Sequence, residues 1–304
     1  MSGIFGRGPR KPPRREPADD RGSGKSRSGA ARGDQLSAES PLQEAEEWCM
    51  KADALHREGR PDDAISMFDK ALELNPREVR GWAGKGMCLE TLGRNEEALE
   101  CYAEALVDNP EDAEVLWLKG DALERMGRHQ EALRHLDKAL ALDPCLMNAW
   151  IDEGLARKAL GRCDEAIRCY DQALKLDSRS REAWYNKGNS FCALGRFEEA
   201  LRCFSEVLVL DLRDARAWNN KGVCLAGLGR HDEAVACYNK ALEIDPSYTL
   251  AWRAKGATHE RQGRIRDAVE AYKQFITIAS ACDAASVECI EQRVRELESA
   301  QATS

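Results

Sequence analysis

Apolar positions in this chain fall three and four residues apart, in short runs that stop and restart on a fixed period. In one run they are Ala98, Leu99, Tyr102, Ala105 and Leu106, which together make one face of a helix. The phrase "TLGRNEEALECYAEALVDNP" at 91–110 returns at 227–246 as "GLGRHDEAVACYNKALEIDP". Tryptophans stand at 48, 82, 150, 184, 218 and 252, all multiples of 34 apart, with Leu116 in the vacant slot and Trp117 beside it. Eleven residues after each slot comes a glycine (Gly59, Gly93, Gly127, Gly161, Gly195, Gly229, Gly263), and an arginine follows every one. Alanines recur at 64, 98, 132, 166, 200, 234 and 268. Such self-similarity marks stacked structural units.

Each unit predicts two helices. The first covers unit positions 1 to 14 and stops at the glycine, which can take the left-handed conformation that closes a helix. The second opens with acids such as Glu96-Glu97 or Asp232-Glu233, which suit a helix N-terminus. It ends at Asn-Pro or Asp-Pro (75–76, 109–110, 143–144, 245–246), where proline cannot continue the helix. Glycines at position 8 (Gly86, Gly120, Gly154, Gly188, Gly222, Gly256) and the alanines at position 20 let the two helices cross closely. A lone hairpin of this kind cannot bury its apolar face, so each copy covers its neighbour. The end units are more polar, as a stack requires: Glu58 in the first, and His259 and Gln262 in the last, replace apolar positions. Beyond them, Val287, Ile290, Val294 and Leu297 share one face of a single capping helix over 283–301.

Tryptophan at position 4, glycine at 8, alanine at 20, an aromatic at 24, alanine at 27 and proline at 32 resemble the tetratricopeptide repeat (TPR) family. The resemblance runs over 45–282, as seven units starting at about 45, 79, 113, 147, 181, 215 and 249. It departs in a lysine at position 7 and in a frequent leucine at position 11. It implies an all-α fold, a right-handed superhelical α-solenoid whose first helices line a concave groove for peptides or proteins. The family's geometry places positions 2, 5, 6, 9, 12 and 13 on that groove. Position 6 carries Asp152, Asn186 and Asn220. Position 5 carries Trp117, Ile151, Tyr185, Asn219 and Arg253. Asn189 stands at position 9 and Arg216 at position 2. An asparagine amide both donates and accepts, so a ladder of them can satisfy the backbone of an extended peptide. The arrangement is similar to the asparagine ladder in the TPR domain of O-linked N-acetylglucosamine transferases. Asn186 and Asn220 match it, while Asp152 departs as an acceptor only. The competing reading of these residues, as solvated helix positions, stays open. A chaperone-tail clamp is not expected, because Tyr185, Leu250 and Ala254 occupy its three cationic slots.

Charge sharpens this picture. Of 304 residues carrying a net charge of −8, the first 44 hold nine Lys/Arg against six Asp/Glu. That Gly/Pro/Ser/Arg-rich tail is expected to be disordered, since it offers almost no apolar surface. The rest is acidic, which fits poorly with nucleic-acid binding. The run "RGPRKPPRR" at 7–15 leaves open an electrostatic tether, or an arm that folds back onto the acidic body. Twelve cysteines include no Cys-x-x-Cys pair, and no apolar leader or membrane-length run occurs. Reduced thiols and a cytoplasmic location are therefore expected, with Cys101, Cys169, Cys203 and Cys237 at position 23 as structural filler. The position-7 lysines read as a solvated row, and the arginines after the glycines as partners of a helix C-terminus. No ligand-spaced histidines, phosphate loop or nucleophile elbow is found. The expectation is a non-enzymatic scaffold without cofactor or metal, monomeric, binding a protein or peptide segment across units four to six. The alternative is a TPR module acting in trans with a separate enzyme such as a glycosyltransferase.

Overall fold

The computed structural model describes residues 40–279 and 284–302, with side chains as far as Ala300. The basic run at 7–15 and the rest of the tail up to 39 lie outside the described residues. Among the described residues, fourteen helices form consecutive hairpins: α1 (Pro41–Arg57) with α2 (Pro61–Leu74), α3 (Val79–Thr91) with α4 (Asn95–Ala105), and α5 (Ala113–Arg125) with α6 (His129–Leu142). They continue as α7 (Met147–Ala159) with α8 (Cys163–Leu176), and α9 (Arg181–Ala193) with α10 (Phe197–Leu210). The last pairs are α11 (Ala215–Gly227) with α12 (His231–Ile244), and α13 (Thr249–Arg261) with α14 (Ile265–Ala279). A final helix, α15 (Ala284–Ala302), packs on α14.

The helix ends follow local chemistry. The first helix starts four residues before the expected unit start. Ser40 caps it with a reciprocal hydrogen-bond pair to Gln43, and Pro41 fits its first turn, where a missing N–H costs nothing. Gly229 closes α11 at φ 75°, and the next residue's amide, on Arg230, donates back to the Leu225 carbonyl at 2.9 Å. That closure satisfies carbonyls the helix leaves open. The arginine side chains do something other than expected. Six of the seven reach forward to the acid three residues on, as in Arg94–Glu97 (2.6 Å) and Arg230–Glu233 (2.7 Å). Several also reach back to the preceding hairpin, as Arg264 does to Asp232 at 3.1 Å. The acids that open each second helix thus claim the guanidinium, and the C-terminal carbonyls are served by backbone amides instead.

In five of the seven hairpins the position-8 glycine lies under an aromatic ring at position 24; Ala52 replaces the glycine in the first, and Leu136 replaces the ring over Gly120 in the third. A Cβ on Gly222 would sit 2.6 Å from Tyr238 Cε1, and one on Gly154 would sit 2.5 Å from Tyr170 Cε1. Both tyrosines are buried. Alanine favours a helix by about 1 kcal/mol over glycine, but overpacking a filled core costs about 1–3 kcal/mol. Gly222→Ala should therefore lower the urea midpoint, since buried Tyr238 has nowhere to go. An unchanged or higher midpoint would show that the hairpin opens freely there.

The position-4 tryptophans lock successive hairpins. Trp82, Trp150, Trp184, Trp218 and Trp252 each donate through Nε1 to the carbonyl six residues back, at 2.9–3.0 Å. Lysines at position 7 lie over those rings, with Lys187 Nζ 5.0 Å from the Trp184 centroid and Lys255 5.1 Å from Trp252. The row is not simply solvated, as the sequence suggests: Lys187 pairs with Asp171 at 2.6 Å and Lys85 with Asp69 at 2.7 Å, each lysine with a mostly covered side chain, and burial lowers Lys255. Odd-numbered helices touch their odd-numbered neighbours all along the stack, whereas no two even-numbered helices come into contact among the described residues. The odd helices therefore hold the tighter, concave side. At the far end, Val287, Val294 and Leu297 of α15 are buried and Ile290 packs beside them. His259, expected on a polar outer face, is instead 6% exposed. The last hairpin is covered rather than finished by its own polar side chains.

Candidate functional site

The concave face carries two polar clusters, each built between one odd helix and the next. On α5 and α7, Trp117 Nε1 donates to Asp152 Oδ2 at 2.6 Å. Because Leu116 fills the tryptophan slot of this unit and is buried, the indole one position on is free to reach α7 instead of its own loop. On α9 and α11, Asn220 Nδ2 donates to both the Tyr185 hydroxyl (3.1 Å) and Asn189 Oδ1 (3.0 Å). Asn219 Nδ2 donates to Asn220 Oδ1 at 3.0 Å. Tyr185 stands edge-on to buried Phe204, with centroids 5.7 Å apart, and Arg216 lies over its face at 5.2 Å. Both clusters join position 5 of one unit to position 6 of the next.

This bonding changes what the asparagines can offer. Both amide hydrogens of Asn220 are used internally, and its oxygen keeps one free lone pair. Asn189 retains two N–H donors, and the Tyr185 hydroxyl retains its proton for donation. Asn186 makes no side-chain hydrogen bond among the described residues, so its whole amide is available; its backbone carbonyl accepts from Ser190 Oγ at 3.0 Å. Asn219 is buried, with Oδ1 unpartnered, so it is floor rather than rim. Arg253 on α13 is exposed, without an ion pair among the described residues. The structure thus brings together Tyr185, Asn189, Arg216, Asn219 and Asn220, pairs Trp117 with Asp152, and leaves Asn186 and Arg253 apart.

Carboxylates not singled out in the sequence occupy the same face toward the other end. Glu90 on α3 accepts from Tyr102 Oη (3.0 Å) and Arg125 Nη1 (2.9 Å). Burial, with the charge of Asp121, pushes its carboxyl up to about 7 against those two donors. Asp121 and Glu124 are raised chiefly by burial. Asp152 is held well above the ordinary aspartate range by burial first and Asp121 next, with the Trp117 hydrogen bond opposing. These acids stand at positions 12, 9, 12 and 6, groove positions all, so their unit numbers were the available signal. Arg216 and Arg253 lie at the opposite end, giving the face a charge gradient along the stack.

Elsewhere the side chains do structural work. The position-23 cysteines are buried, and burial raises them, Cys101 to about 11 and Cys169 to about 12. No group of three or more His, Cys, Asp or Glu is placed to hold a metal ion among the described residues. A cleft of about 580 Å³ between α10, α11 and α12 is lined by Arg202, Glu206, Trp218, Lys221, Arg230 and Glu233. Its charges are of both signs and partly self-paired, so it favours neither sign of ligand.

Stacked two-helix units with a concave polar face define a helical-repeat scaffold. The sequence model of the Tetratricopeptide repeat family matches residues 49–106, 91–144, 151–201 and 185–249, more than half of the chain, and the chain belongs to that family. No curated protein matches it in sequence. Among solved structures it is similar to YrrB, described as a TPR protein with an unusual peptide-binding site. The two are 26% identical, the match covers 62% of this chain and 97% of that one, and the TM-score is 0.54. It shares its fold with pilF of Pseudomonas aeruginosa (17% identity, 74% and 99% covered, TM-score 0.63). A tetratricopeptide repeat protein of Parabacteroides merdae shares it too (18% identity, 84% and 99% covered, TM-score 0.61). No helix among the described residues is long and apolar enough to cross a membrane.

Proposed function

We propose that the chain is a non-catalytic interaction scaffold that holds an extended peptide segment along the concave face of α5 to α11. The observation that carries this reading is the set of unspent donors on Asn186, Asn189 and Tyr185, presented on one concave surface. An extended ligand's carbonyls would take those donors, and the free lone pair of Asn220 would take a ligand N–H. The peptide-binding site named for YrrB supports the same reading. Charge sets the ligand's character: Asp121, Glu124, Asp152 and, at groove position 2 of α9, exposed Glu182 favour lysine or arginine over α5 to α9, and Arg216 and Arg253 favour an acidic end over α11 to α13.

Peptides selected from a random display library against the full chain should be enriched in Lys and Arg. Asn186→Ala with Asn220→Ala should weaken the selected peptides about tenfold, the loss of one or two hydrogen bonds at about 1 kcal/mol each. Helical content should not change. Selected peptides that bind the double variant as tightly as the parent would place binding elsewhere. A library yielding no ligand would sink the scaffold reading itself. In a second comparison, Glu182→Lys should weaken lysine-rich peptides most at low salt, because it reverses an exposed charge.

A further inference from the structure

The repeat register sets position 12 of one unit against position 10 of the next, 32 residues along. At the start of the stack this brings His56 Nδ1 to 2.9 Å from Cys88 Sγ. The corresponding pairs elsewhere are Glu90 with Ala122, Glu124 with Ala156, Lys158 with Ser190, and Ala226 with Thr258. Only between α9 and α11 do both positions carry thiols, and there Cys192 Sγ lies 3.0 Å from Cys224 Sγ. Both are free cysteines, Cys192 half-buried and Cys224 fully buried beside Phe191, Cys203 and Phe204.

We infer that Cys192 and Cys224 are a modification site, a dithiol that a peroxide converts into an intramolecular disulfide stapling α9 to α11. The sulfurs need to approach by only about 1 Å to reach a bond length near 2.05 Å. Half-exposed Cys192 is the attacking thiol. The sulfur–sulfur hydrogen bond shared with Cys224 holds it below the ordinary cysteine range against its burial, and Lys158 adds to that effect. Its thiolate attacks one peroxide oxygen; an S–O bond forms, the O–O bond breaks, and the departing hydroxide takes a proton to become water. Cys224 then attacks the sulfenic sulfur; the S–S bond forms, the S–O bond breaks, and hydroxide leaves with the Cys224 proton as a second water. Two thiols are oxidised and one peroxide is reduced to two waters. Dithiol reductants reverse the bond by exchange. The staple would fix α9 against α11 beside the Asn189–Asn220 hydrogen bond, whatever the concave face binds.

Trypsin isolates the two thiols in separate peptides, 188–196 and 222–230, each with one cysteine. The full-length protein is treated with hydrogen peroxide until the exposed thiols Cys145 and Cys289 no longer react with N-ethylmaleimide, then alkylated, digested and weighed. The two peptides should appear joined, from protein that runs as a monomer without reductant, and dithiothreitol should separate them. Cys192→Ser and Cys192→Ala should each abolish the joined species, with circular dichroism confirming that the helices persist. Cys145→Ser with Cys289→Ser should leave it intact. Peptides that stay separate once Cys145 and Cys289 are oxidised would overturn the assignment. So would a joined pair recovered only from a dimer band.

Discussion

Phe204→Ala is expected to cost about 3–5 kcal/mol, the usual range for deleting a buried aromatic ring, and to split the chain's unfolding into two steps. Phe204 is fully buried. Its ring occupies the space that a Cβ on Gly188 would enter at 2.9 Å, and it packs with Ile167, Phe191, Cys203 and Cys224. Those partners belong to three successive hairpins, so the ring holds α8, α9 and α11 together. In a stack whose stability is a sum of units and nearest-neighbour interfaces, a weak hairpin in the middle uncouples the two ends. Urea unfolding followed by circular dichroism should then show two transitions where the parent shows a tighter one. Tyr185, whose edge rests on Phe204, should lose its fixed orientation, so peptide affinity should fall even under conditions where the helices survive. A single transition with a midpoint close to the parent's would mean that the interior at this hairpin collapses around the loss.

The repeat and its two helices are legible in the sequence because burial follows identity at constant spacing. Glycine under an aromatic, alanine at the crossing and tryptophan at the loop each recur every 34 residues. Contacts between repeats obey other spacings, and there the sequence pattern is silent. Trp117 meets Asp152, and Tyr185 meets Asn220, 35 residues on, while Cys192 meets Cys224 after 32. Successive first helices are staggered against one another, so partners across them do not share a unit position. That is why Asn220 reads as a free ladder rung and is largely spent on its neighbours. The arginines after the turn glycines depart from expectation for a different reason. Helix-end reasoning predicts an attraction to the nearest dipole, but a carboxylate three residues away is a full charge and outcompetes it. The carboxylates of the concave face are visible at known groove positions. Their perturbation is not, because it arises from burial that only packing reveals.

Asp152→Asn is expected to stabilise the protein at pH 8 and to make no difference near pH 4. The carboxyl lies between α5 and α7 with the charge of Asp121 nearby, and burial ahead of that charge raises it. A group whose folded value exceeds its unfolded value contributes stability that is fully present below the unfolded value, about 3.9 for aspartate. That contribution is lost as pH rises through the folded value, because the folded chain must then give up a proton it holds more tightly. Glu90, pushed from 4.5 up to about 7, adds to the same slope, so the parent should lose stability between about pH 4.5 and 8. The amide oxygen of the variant can still accept from Trp117, while no buried charge develops at high pH. The gain should be present at pH 8 and shrink as the pH falls, since every tenfold difference in proton affinity between the folded and unfolded chain is worth about 1.4 kcal/mol. The thermal midpoint should also vary less with pH. Matching midpoints at pH 8, or a deficit that persists unchanged at pH 4, would show that the Asp152 carboxylate is well served by Trp117 and water when ionised. The same measurement bears on the ligand. Because burial makes the Asp152 charge costly, exposed Glu182 should carry more of the cation preference that the two share over α5 to α9, and Glu182→Lys should weaken lysine-rich peptides more than Asp152→Asn does.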